Sequence, residues 1–397
     1  MKVSLGATSD SALDARNGSI DALRGLSILL VVVHHVGIRL PLKKTLLGAL
    51  LPAWLLDGIN WNGSEAVLMF FVISGFLITR RSQVRWGDLR DIPPRAFYAF
   101  RATRILPLLL LVVALLSILH LLDVPRFVID RPSQSLGGAI AAALGFYLNW
   151  YEGATGYLPG GWDVLWSLSI EEVFYLAFPL VCLTLVRTRL FVPALLLVAL
   201  SLPFTRAALA TGGNEIWAEK AYLPGMAAIA IGVLAALAAR RVPTMRSGRA
   251  IALALLGLAG IGAVLFAGRT VFALLQHGYG LLLALSTACV VLGAHWHEAA
   301  APGSRLRGLA WLRSLGRLSY EIYLFHMFCV FAVVAIAAAS GVPIAYAFVW
   351  YVPAVVGSWL LGLIVARAFS QPCERRLRAL LQRAPARPDS AALGEPS

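Results

Sequence analysis

Ten runs of about twenty mostly apolar residues recur along this chain, and they constrain its fold more than any other feature. The chain has 397 residues, of which 59% are apolar, and about twenty apolar residues are what an α-helix needs to cross a bilayer. We therefore predict an all-α polytopic membrane protein, a bundle of about ten transmembrane helices set in a lipid bilayer. The predicted spans lie near residues 21–40, 62–80, 103–122, 163–186, 190–207, 221–239, 249–267, 275–294, 318–339 and 347–368.

One further apolar segment, residues 136–151, is short and rich in small residues. The loop at 80–104 is rich in arginine, so the positive-inside rule makes it cytoplasmic. If residues 136–151 crossed the membrane, the arginine clusters at 240–249 and 305–317 would both lie outside. We therefore predict that this segment is a re-entrant or interfacial element.

Ten spans with a cytoplasmic first loop place both termini in the cytoplasm. Residues 1–19 are then a cytoplasmic N-terminal segment, and residues 20–370 form one membrane domain. Residues 371–397 form a cytoplasmic tail that we expect to be largely disordered, since its last part from about residue 384 is rich in Pro, Ala and Ser.

The formal charge of +14 does not indicate a nucleic-acid partner. The arginines stand in short clusters between apolar runs, which is the pattern of membrane topology, and not in one stripe interleaved with exposed aromatic residues. The four cysteines are scattered without CxxC or CxH spacing, so we predict no metal site.

The first span carries three ionisable side chains, Asp21, Arg24 and His35. At about 100° per residue, Arg24 and His35 lie within about 20° of each other on a helix, and Asp21 lies within about 40° of His35. Ionisable groups inside a membrane are costly and normally face a protein interior or a water-filled cavity. The stripe therefore predicts a functional site, whereas His34 points about 100° away and is interpreted as structural.

Other polar groups fall within later spans. Glu171 lies at a depth comparable with that of His35, and because Glu171 and Glu172 are adjacent, we expect only one of them to face the cavity. Arg101 and Arg104 share one helix face at the cytoplasmic mouth and suit a phosphate group. His326 lies about 10 Å from the cytoplasmic end, so we place it in the inner half of the cavity. Four arginines are interpreted as topology signals alone: Arg80, Arg81, Arg85 and Arg90.

Five motifs together resemble the membrane-bound acyltransferase-3 family, which includes bacterial O-antigen and exopolysaccharide O-acetylases and macrolide acyltransferases. Arg24 and His35 match its Arg-x10-His signature, and the motifs follow in family order from about residue 19 to 370. Larger members carry an appended periplasmic esterase-like domain, which we do not expect here. The other motifs are FFVISGFLI at 70–78, RATRILP at 101–107, WSLSIE at 166–171 and SYEIYLFH at 319–326.

The resemblance implies an enzyme of the bacterial inner membrane that transfers an acyl group, usually acetyl from acetyl-CoA, to a hydroxyl of a sugar-containing acceptor. A cell-surface or exopolysaccharide glycan is the first expectation, and a small secreted glycoside or macrolide is the alternative. No metal is implied.

The resemblance also implies roles for individual residues. His35 is the general base or a transient acyl carrier, and Arg24 lines the inner cavity. Either Glu171 or Asp21 orients the imidazole of His35. The donor-binding residues are Arg101, Arg104, Tyr320 and His326.

A proton-coupled transporter is the competing class, with Asp21, Arg24, His35 and Glu171 as a proton relay. That interpretation leaves the paired arginines of RATRILP and the order of the motifs unexplained.

Overall fold

The computed structural model describes residues 17–301 and 308–383. Within these residues, ten helices are long enough and apolar enough to cross a membrane. Within those residues the chain forms helices and loops and no β-strand. The all-α class and the ten predicted spans are therefore confirmed. The spanning helices are α1 (Gly18–Gly37), α2 (Gly63–Trp86), α3 (Pro94–Leu121), α4 (Gly160–Leu185), α5 (Phe191–Ala210), α6 (Glu215–Arg241), α7 (Ser247–Phe266), α8 (Gly268–Ala300), α9 (Ser319–Ala339) and α10 (Ile344–Leu381).

Five of these spans are built from consecutive helical segments. They are Gly160–Asp163 and Trp166–Leu185 in α4, Phe191–Leu200 and Leu202–Ala210 in α5, Glu215–Lys220 and Tyr222–Arg241 in α6, Gly268–Leu275, Gln276–Gly278 and Tyr279–Ala300 in α8, and Ile344–Trp350, Tyr351–Val365, Ala366–Ser370 and Gln371–Arg383 in α10. The short helices between spans are Leu42–Lys44, Leu47–Leu50, Ala53–Asn60, Leu89–Asp91, Leu136–Leu144, Leu148–Thr155 and Ala310–Arg317.

Contacts between loops that are far apart in the sequence mark the two ends of the bundle. Arg240 near the end of α6 forms an ion pair with Asp88, in the loop after α2, at 3.0 Å. At the other end of the bundle the backbone N–H of Leu46, after α1, donates to the carbonyl of Ala345, at the start of α10, at 2.8 Å. We call the end formed by the loops after α2, α6 and α8 the arginine end, and the end formed by the loops after α1, α3 and α9 the opposite end.

The segment at 136–151 does not cross the bundle. It forms the helices Leu136–Leu144 and Leu148–Thr155, and nine residues reach only about 13 Å, less than half the thickness of the hydrocarbon core. Between them Phe146 has a positive φ of 58°, and its carbonyl accepts a 2.6 Å hydrogen bond from the Tyr222 hydroxyl, which holds the bend.

Ten crossings return the chain to the arginine end. Helix α1 is capped there by Asn17, whose side-chain oxygen accepts from the backbone N–H groups of Ser19 and Ile20. Residues 371–383, which the sequence-based division assigned to the tail, form a helix whose Arg378 guanidinium lies 5.9 Å from the ring centroid of Phe100. The rest of the predicted tail, 384–397, and residues 1–16 of the predicted N-terminal segment lie outside the described residues.

A close helix contact fixes the arginine end of α1. A Cβ atom added to Gly25 would lie 1.9 Å from the carbonyl oxygen of Leu312, and one added to Gly316 would lie 1.8 Å from the carbonyl oxygen of Asp21. Only glycine permits such an approach of two backbones. The helix Ala310–Arg317 therefore packs directly against the turn of α1 that carries Asp21 and Arg24.

Candidate active site

A cavity reaches into the bundle from the arginine end, and side chains of five spanning helices, α1, α2, α3, α4 and α9, line it. We call it the arginine cavity. Five of the eight predicted site residues line it: Arg24, Arg101, Arg104, Glu171 and Tyr320. Its other polar lining residues are Ser74, Arg81, Ser167, Glu172, Tyr175, Ser319 and Tyr323.

Four guanidinium groups line this cavity. Arg24 donates to the Ser319 hydroxyl at 2.7 Å, and the guanidinium carbon of Arg101 lies 3.5 Å from the ring centroid of Tyr175. Arg101 and Arg104 lie in the same cavity, as the sequence predicts. The interpretation of Arg81 as a topology signal alone needs correction, because its side chain also lines the cavity. An arginine at a cytoplasmic helix end and an arginine in a cavity mouth look alike in sequence.

Both adjacent carboxylates face the arginine cavity, whereas the sequence predicts only one. Glu171 accepts a long hydrogen bond of 3.5 Å from the Tyr175 hydroxyl, and that hydroxyl is also bonded to Ser74. Glu172 is 7% exposed and lines the same space. The cavity covers a wide sector of α4, so two side chains about 100° apart both reach it.

A second cavity lies at the opposite end, and His35 is part of its wall. We call it the histidine cavity; it has a volume of about 440 Å³. His34 also lines it, with its Nδ1 atom 3.0 Å from the carbonyl oxygen of Asn60, a contact in keeping with its structural interpretation. Other lining residues are Arg39, Ser64, Tyr157, Asp163, Trp166, Glu219, Lys220 and Tyr323.

His326 lies against His35, with 5.1 Å between the two ring centroids. Its predicted placement in the inner cavity needs correction, because it is fully buried and is absent from the lining of the arginine cavity. Its Nδ1 atom lies 2.8 Å from the carbonyl oxygen of Tyr323, and since a carbonyl only accepts, Nδ1 carries the proton. Nε2 therefore keeps its lone pair and has no hydrogen-bond partner among the described residues.

Neither predicted carboxylate lies beside His35. Glu171 lines the arginine cavity, and Asp21 lies 4.0 Å from the guanidinium of Arg24. The ring of His326 lies beside that of His35, and His34, Arg39 and Lys220 line the same cavity as His35. Asp21 shares the helix face of His35, yet fourteen residues separate them by about 21 Å along the axis.

A buried ionic cluster forms one wall of the histidine cavity, and sequence reasoning missed it. The Lys220 ammonium lies 2.9 Å from a carboxylate oxygen of Glu152 and also pairs with Asp163. The Lys220 side chain is 2% exposed and that of Glu152 is 0% exposed. The three residues come from separate segments, so only their positions beside apolar runs could have signalled them.

The two cavities meet at a thin partition. Val67 and Tyr323 line both of them, and the hydroxyl of Tyr323 lies 2.7 Å from the hydroxyl of Ser167. The histidine pair therefore stands on one side of Tyr323, and the arginines stand on the other. In the described residues no group of three or more His, Cys, Asp or Glu side chains is arranged to hold a metal ion.

The chain is similar in sequence to parts of several known proteins. The chain is 26% identical over 217 residues to the peptidoglycan O-acetyltransferase OatA of Listeria monocytogenes, a match that covers 52% of the chain and 29% of the relative. It is 34% identical over 181 residues to the putative membrane-bound transacylase BcsY of Komagataeibacter xylinus, which covers 44% of the chain and 39% of the relative. A putative O-acetyltransferase of Staphylococcus aureus strain COL is 28% identical over 177 residues, 43% of the chain and 25% of the relative.

The matched regions thus span well under half the length of these relatives, and no solved structure shows a significant match. The model of the acyltransferase-3 family, described as an acyltransferase domain, matches residues 17–363. That range holds both cavities and all eight predicted site residues. The chain belongs to the acyltransferase-3 family.

Proposed function

We propose that this chain is an integral membrane O-acyltransferase that moves an acyl group, acetyl in the simplest case, from acyl-CoA to a hydroxyl of a sugar-containing acceptor. One observation carries the proposal: a cavity with four arginines and a cavity with His35 approach from opposite ends and share Tyr323 and Val67. The names of the relatives, two of which are O-acetyltransferases, support the same chemistry.

The arginine cavity suits the donor. Guanidinium groups bind phosphate through charge-assisted, often bidentate hydrogen bonds, and Arg81, Arg101 and Arg104 lie toward the arginine end of the cavity. The phosphates of acyl-CoA bind there, and the thioester extends past Tyr320 toward Tyr323. Metal chemistry has no part in this proposal.

In the proposed reaction a ring nitrogen of His35 takes the proton of the acceptor hydroxyl as its oxygen attacks the thioester carbonyl carbon. The new C–O bond forms, the C–S bond breaks, and the CoA thiolate leaves through the arginine cavity with the proton that His35 held. In the alternative path the nitrogen of His35 attacks the thioester first, the C–S bond breaks, and CoA leaves with the proton that the acylated imidazole loses. The acceptor hydroxyl then attacks the acyl-imidazole, the C–N bond breaks, and the hydroxyl proton returns to His35. Rapid-quench labelling with radioactive acetyl-CoA distinguishes the two, since only the second leaves label on the protein.

His326 replaces the predicted carboxylates as the group that orients His35. Its Nε2 lone pair accepts the ring N–H of His35 after a small rotation of the ring, which leaves the other nitrogen of His35 for the acceptor hydroxyl. His326 is then a positioning residue on the acceptor side of the partition. Asp21 instead lies beside the guanidinium of Arg24, at 4.0 Å, and Glu171 lines the arginine cavity together with Arg101.

We assign the arginine end to the cytoplasm of a bacterial cell, which places both termini and the donor there and the acceptor outside. Residues 20–370 are then the acyltransferase domain of an inner-membrane protein. The loops after α2, α6 and α8 support this orientation through their arginine content.

The acceptor is first expected to be a cell-surface or exopolysaccharide glycan, and a small secreted glycoside or macrolide is the alternative. Mass spectrometry of surface glycans and of secreted glycosides from a strain lacking the gene tests both. We expect the loss of one ester-linked acyl group, restored by the wild-type gene and not by the His35→Ala variant. Unchanged acylation in both fractions would contradict the function.

The proton-relay alternative gains little from the geometry. A relay requires Asp21, Arg24, His35 and Glu171 to be contiguous, whereas the fourteen residues between Asp21 and His35 separate them by about 21 Å along the helix axis. Solute flux driven by a pH gradient, with no binding of acetyl-CoA, would favour the transporter.

A further inference from the structure

A third cavity, of about 590 Å³, opens beside the histidine cavity at the opposite end of the bundle. It shares Arg39, Tyr157, Leu158 and Gly160 with the histidine cavity, so the two spaces adjoin each other. The loop after α3 supplies two further arginines to its wall, Arg126 and Arg131. We call this third cavity the vestibule.

The three arginines of the vestibule form no ion pair with a carboxylate within the described residues. Arg39 donates to the carbonyl of His35 at 2.7 Å, and its guanidinium lies 4.6 Å from the ring centroid of Phe331. Arg126 donates to the carbonyl of the same Phe331 at 3.3 Å. The charged residues in the wall of the vestibule are these three arginines and one acidic residue, the exposed Asp130. The wall therefore has an excess of two positive charges.

Backbone geometry holds two of these arginines in place. Arg126 has a positive φ of 73°, a conformation that costs a non-glycine residue free energy. A Cβ atom added to Gly156, whose φ is 97°, would lie 1.9 Å from a guanidinium nitrogen of Arg131. Burial, followed by the charge of Arg126, lowers the pKa of Arg39, and the charge of Asp163 opposes this only in part. The cluster therefore maintains mutual repulsion that a bound anion would relieve.

The position of the vestibule indicates what kind of anion it takes. Arg39 lies just after the end of α1, four residues beyond His35, and its guanidinium donates to the carbonyl of His35 at 2.7 Å. Tyr157 lines both spaces and is 39% exposed, with the Lys220 ammonium 4.5 Å from its ring centroid, and an aromatic side chain of this kind suits packing against a sugar ring. An anionic group held by the arginines thus lies about one sugar unit from the imidazole of His35.

We infer that the vestibule is an acceptor subsite for an oxyanion, a carboxylate or a phosphate, carried by the saccharide whose hydroxyl is acylated at His35. This inference rests on the proposed function, since it takes the histidine cavity as the acceptor site. It adds that the acceptor is an acidic saccharide. The three guanidinium groups bind its oxyanion and set which hydroxyl meets His35.

Binding to the full-length protein in nanodiscs of zwitterionic lipid tests the inference. The probes are glucuronic acid, its neutral methyl ester and inorganic phosphate, measured by saturation-transfer NMR. We expect glucuronic acid to bind at least tenfold more tightly than the ester and phosphate to compete with it. The double variant Arg126→Gln, Arg131→Gln should lose the preference. Arg269→Gln should keep it, because that arginine lies at the same end with a side chain 91% exposed and outside the vestibule.

Equal binding of acid and ester, or a preference that survives the double variant, would overturn the inference. A preference that disappears only in nanodiscs of anionic phosphatidylglycerol would assign the arginines to a lipid headgroup and would also overturn it. Hydrolysis of acetyl-CoA, measured in the same preparations, distinguishes a failure of this inference from a failure of the proposed function. Its persistence in the double variant shows an intact donor site, whereas its absence in the wild type would count against the proposed function itself.

Discussion

The imidazole rings of His326 and His35 lie side by side, with 5.1 Å between their centroids, and the buried Nε2 atom of His326 has no hydrogen-bond partner among the described residues. The carbonyl of Tyr323 fixes the tautomer of His326, so the orientation of one imidazole is built into helix α9. The two residues therefore have different proposed roles. His35 lines the histidine cavity and can meet the acceptor, whereas His326 lines neither cavity and acts through His35.

The variant His35→Ala should lower acyl transfer by roughly 100- to 10,000-fold, because it removes the general base or acyl carrier. The matched control is His34→Ala, whose imidazole contacts the carbonyl of Asn60 and should be much less important for the rate. The rates are measured with purified variants of equal yield and equal unfolding temperature. Two variants with the same loss of rate would contradict the assignment.

The variant His326→Gln should lower kcat by about tenfold or more with little change in the KM for acetyl-CoA, because a positioning residue acts through His35. Donor binding by His326, the role implied by the family resemblance, would instead raise KM. Steady-state kinetics across a range of acetyl-CoA concentrations separates the two outcomes. A raised KM with unchanged kcat would return His326 to the donor site.

Each of the variants Arg81→Ala, Arg101→Ala and Arg104→Ala should weaken acetyl-CoA binding by roughly tenfold or more, since a charge-assisted contact contributes about 1.5–3 kcal/mol. Lysine should restore only part of the affinity because it lacks the planar fork. Arg90→Ala is the control, since Arg90 lies in the connection between α2 and α3, outside the cavity, and its side chain is 56% exposed. Unchanged affinity in a triple variant would restore the topology interpretation.

The variant Lys220→Met should destabilise the protein by about 3–5 kcal/mol, because it leaves the buried carboxylate of Glu152 without its partner. Lys43→Met removes a surface ion pair with Asp57 at 2.6 Å and should cost less than about 1 kcal/mol. Unfolding in detergent, followed by tryptophan fluorescence, compares the two. Equal shifts would show that the ionic cluster does not stabilise the fold.

The orientation of the bundle is tested by single cysteines in a background without the native ones. Ala154→Cys and Gly248→Cys are suitable because both positions are exposed and lie at opposite ends; the neighbouring Gly153 is not, since a Cβ there would lie 2.5 Å from Trp217. An impermeant thiol reagent should reach Cys at 154 from outside and Cys at 248 only from the cytoplasm. The reverse labelling would place the donor cavity outside.

Much of the fold could be predicted because hydropathy and helix length are local properties of the chain. The ten spans, the short segment at 136–151 and the shared cavity of Arg24, Arg101 and Arg104 all follow from local patterns. The partner of His35 could not be predicted in this way. Helical periodicity predicts that Asp21 and His35 share a face of α1. It does not predict which residue of another helix contacts His35, and in the structure that residue is His326.

Other features depend on tertiary packing in the same way. The pairing of Lys220 with Glu152 joins segments that are far apart in sequence. Arg81 shares its sequence signature with neighbouring arginines that only mark topology. Depth along a helix placed His326 in the inner cavity, whereas the packing of α9 against α1 puts its ring beside that of His35.

The central claim is that acyl-CoA reaches His35 from the arginine end, and the release of acetate from radiolabelled acetyl-CoA in sealed proteoliposomes tests it most directly. Water is the acceptor in this assay. The proteoliposomes contain the Gly248→Cys variant and are sorted by whether an impermeant reagent added outside labels that cysteine. The account predicts release only when acetyl-CoA is on the side where that cysteine is labelled, and loss of release in His35→Ala. Equal release by His35→Ala, or release that requires acetyl-CoA on the side of Ala154, would contradict it.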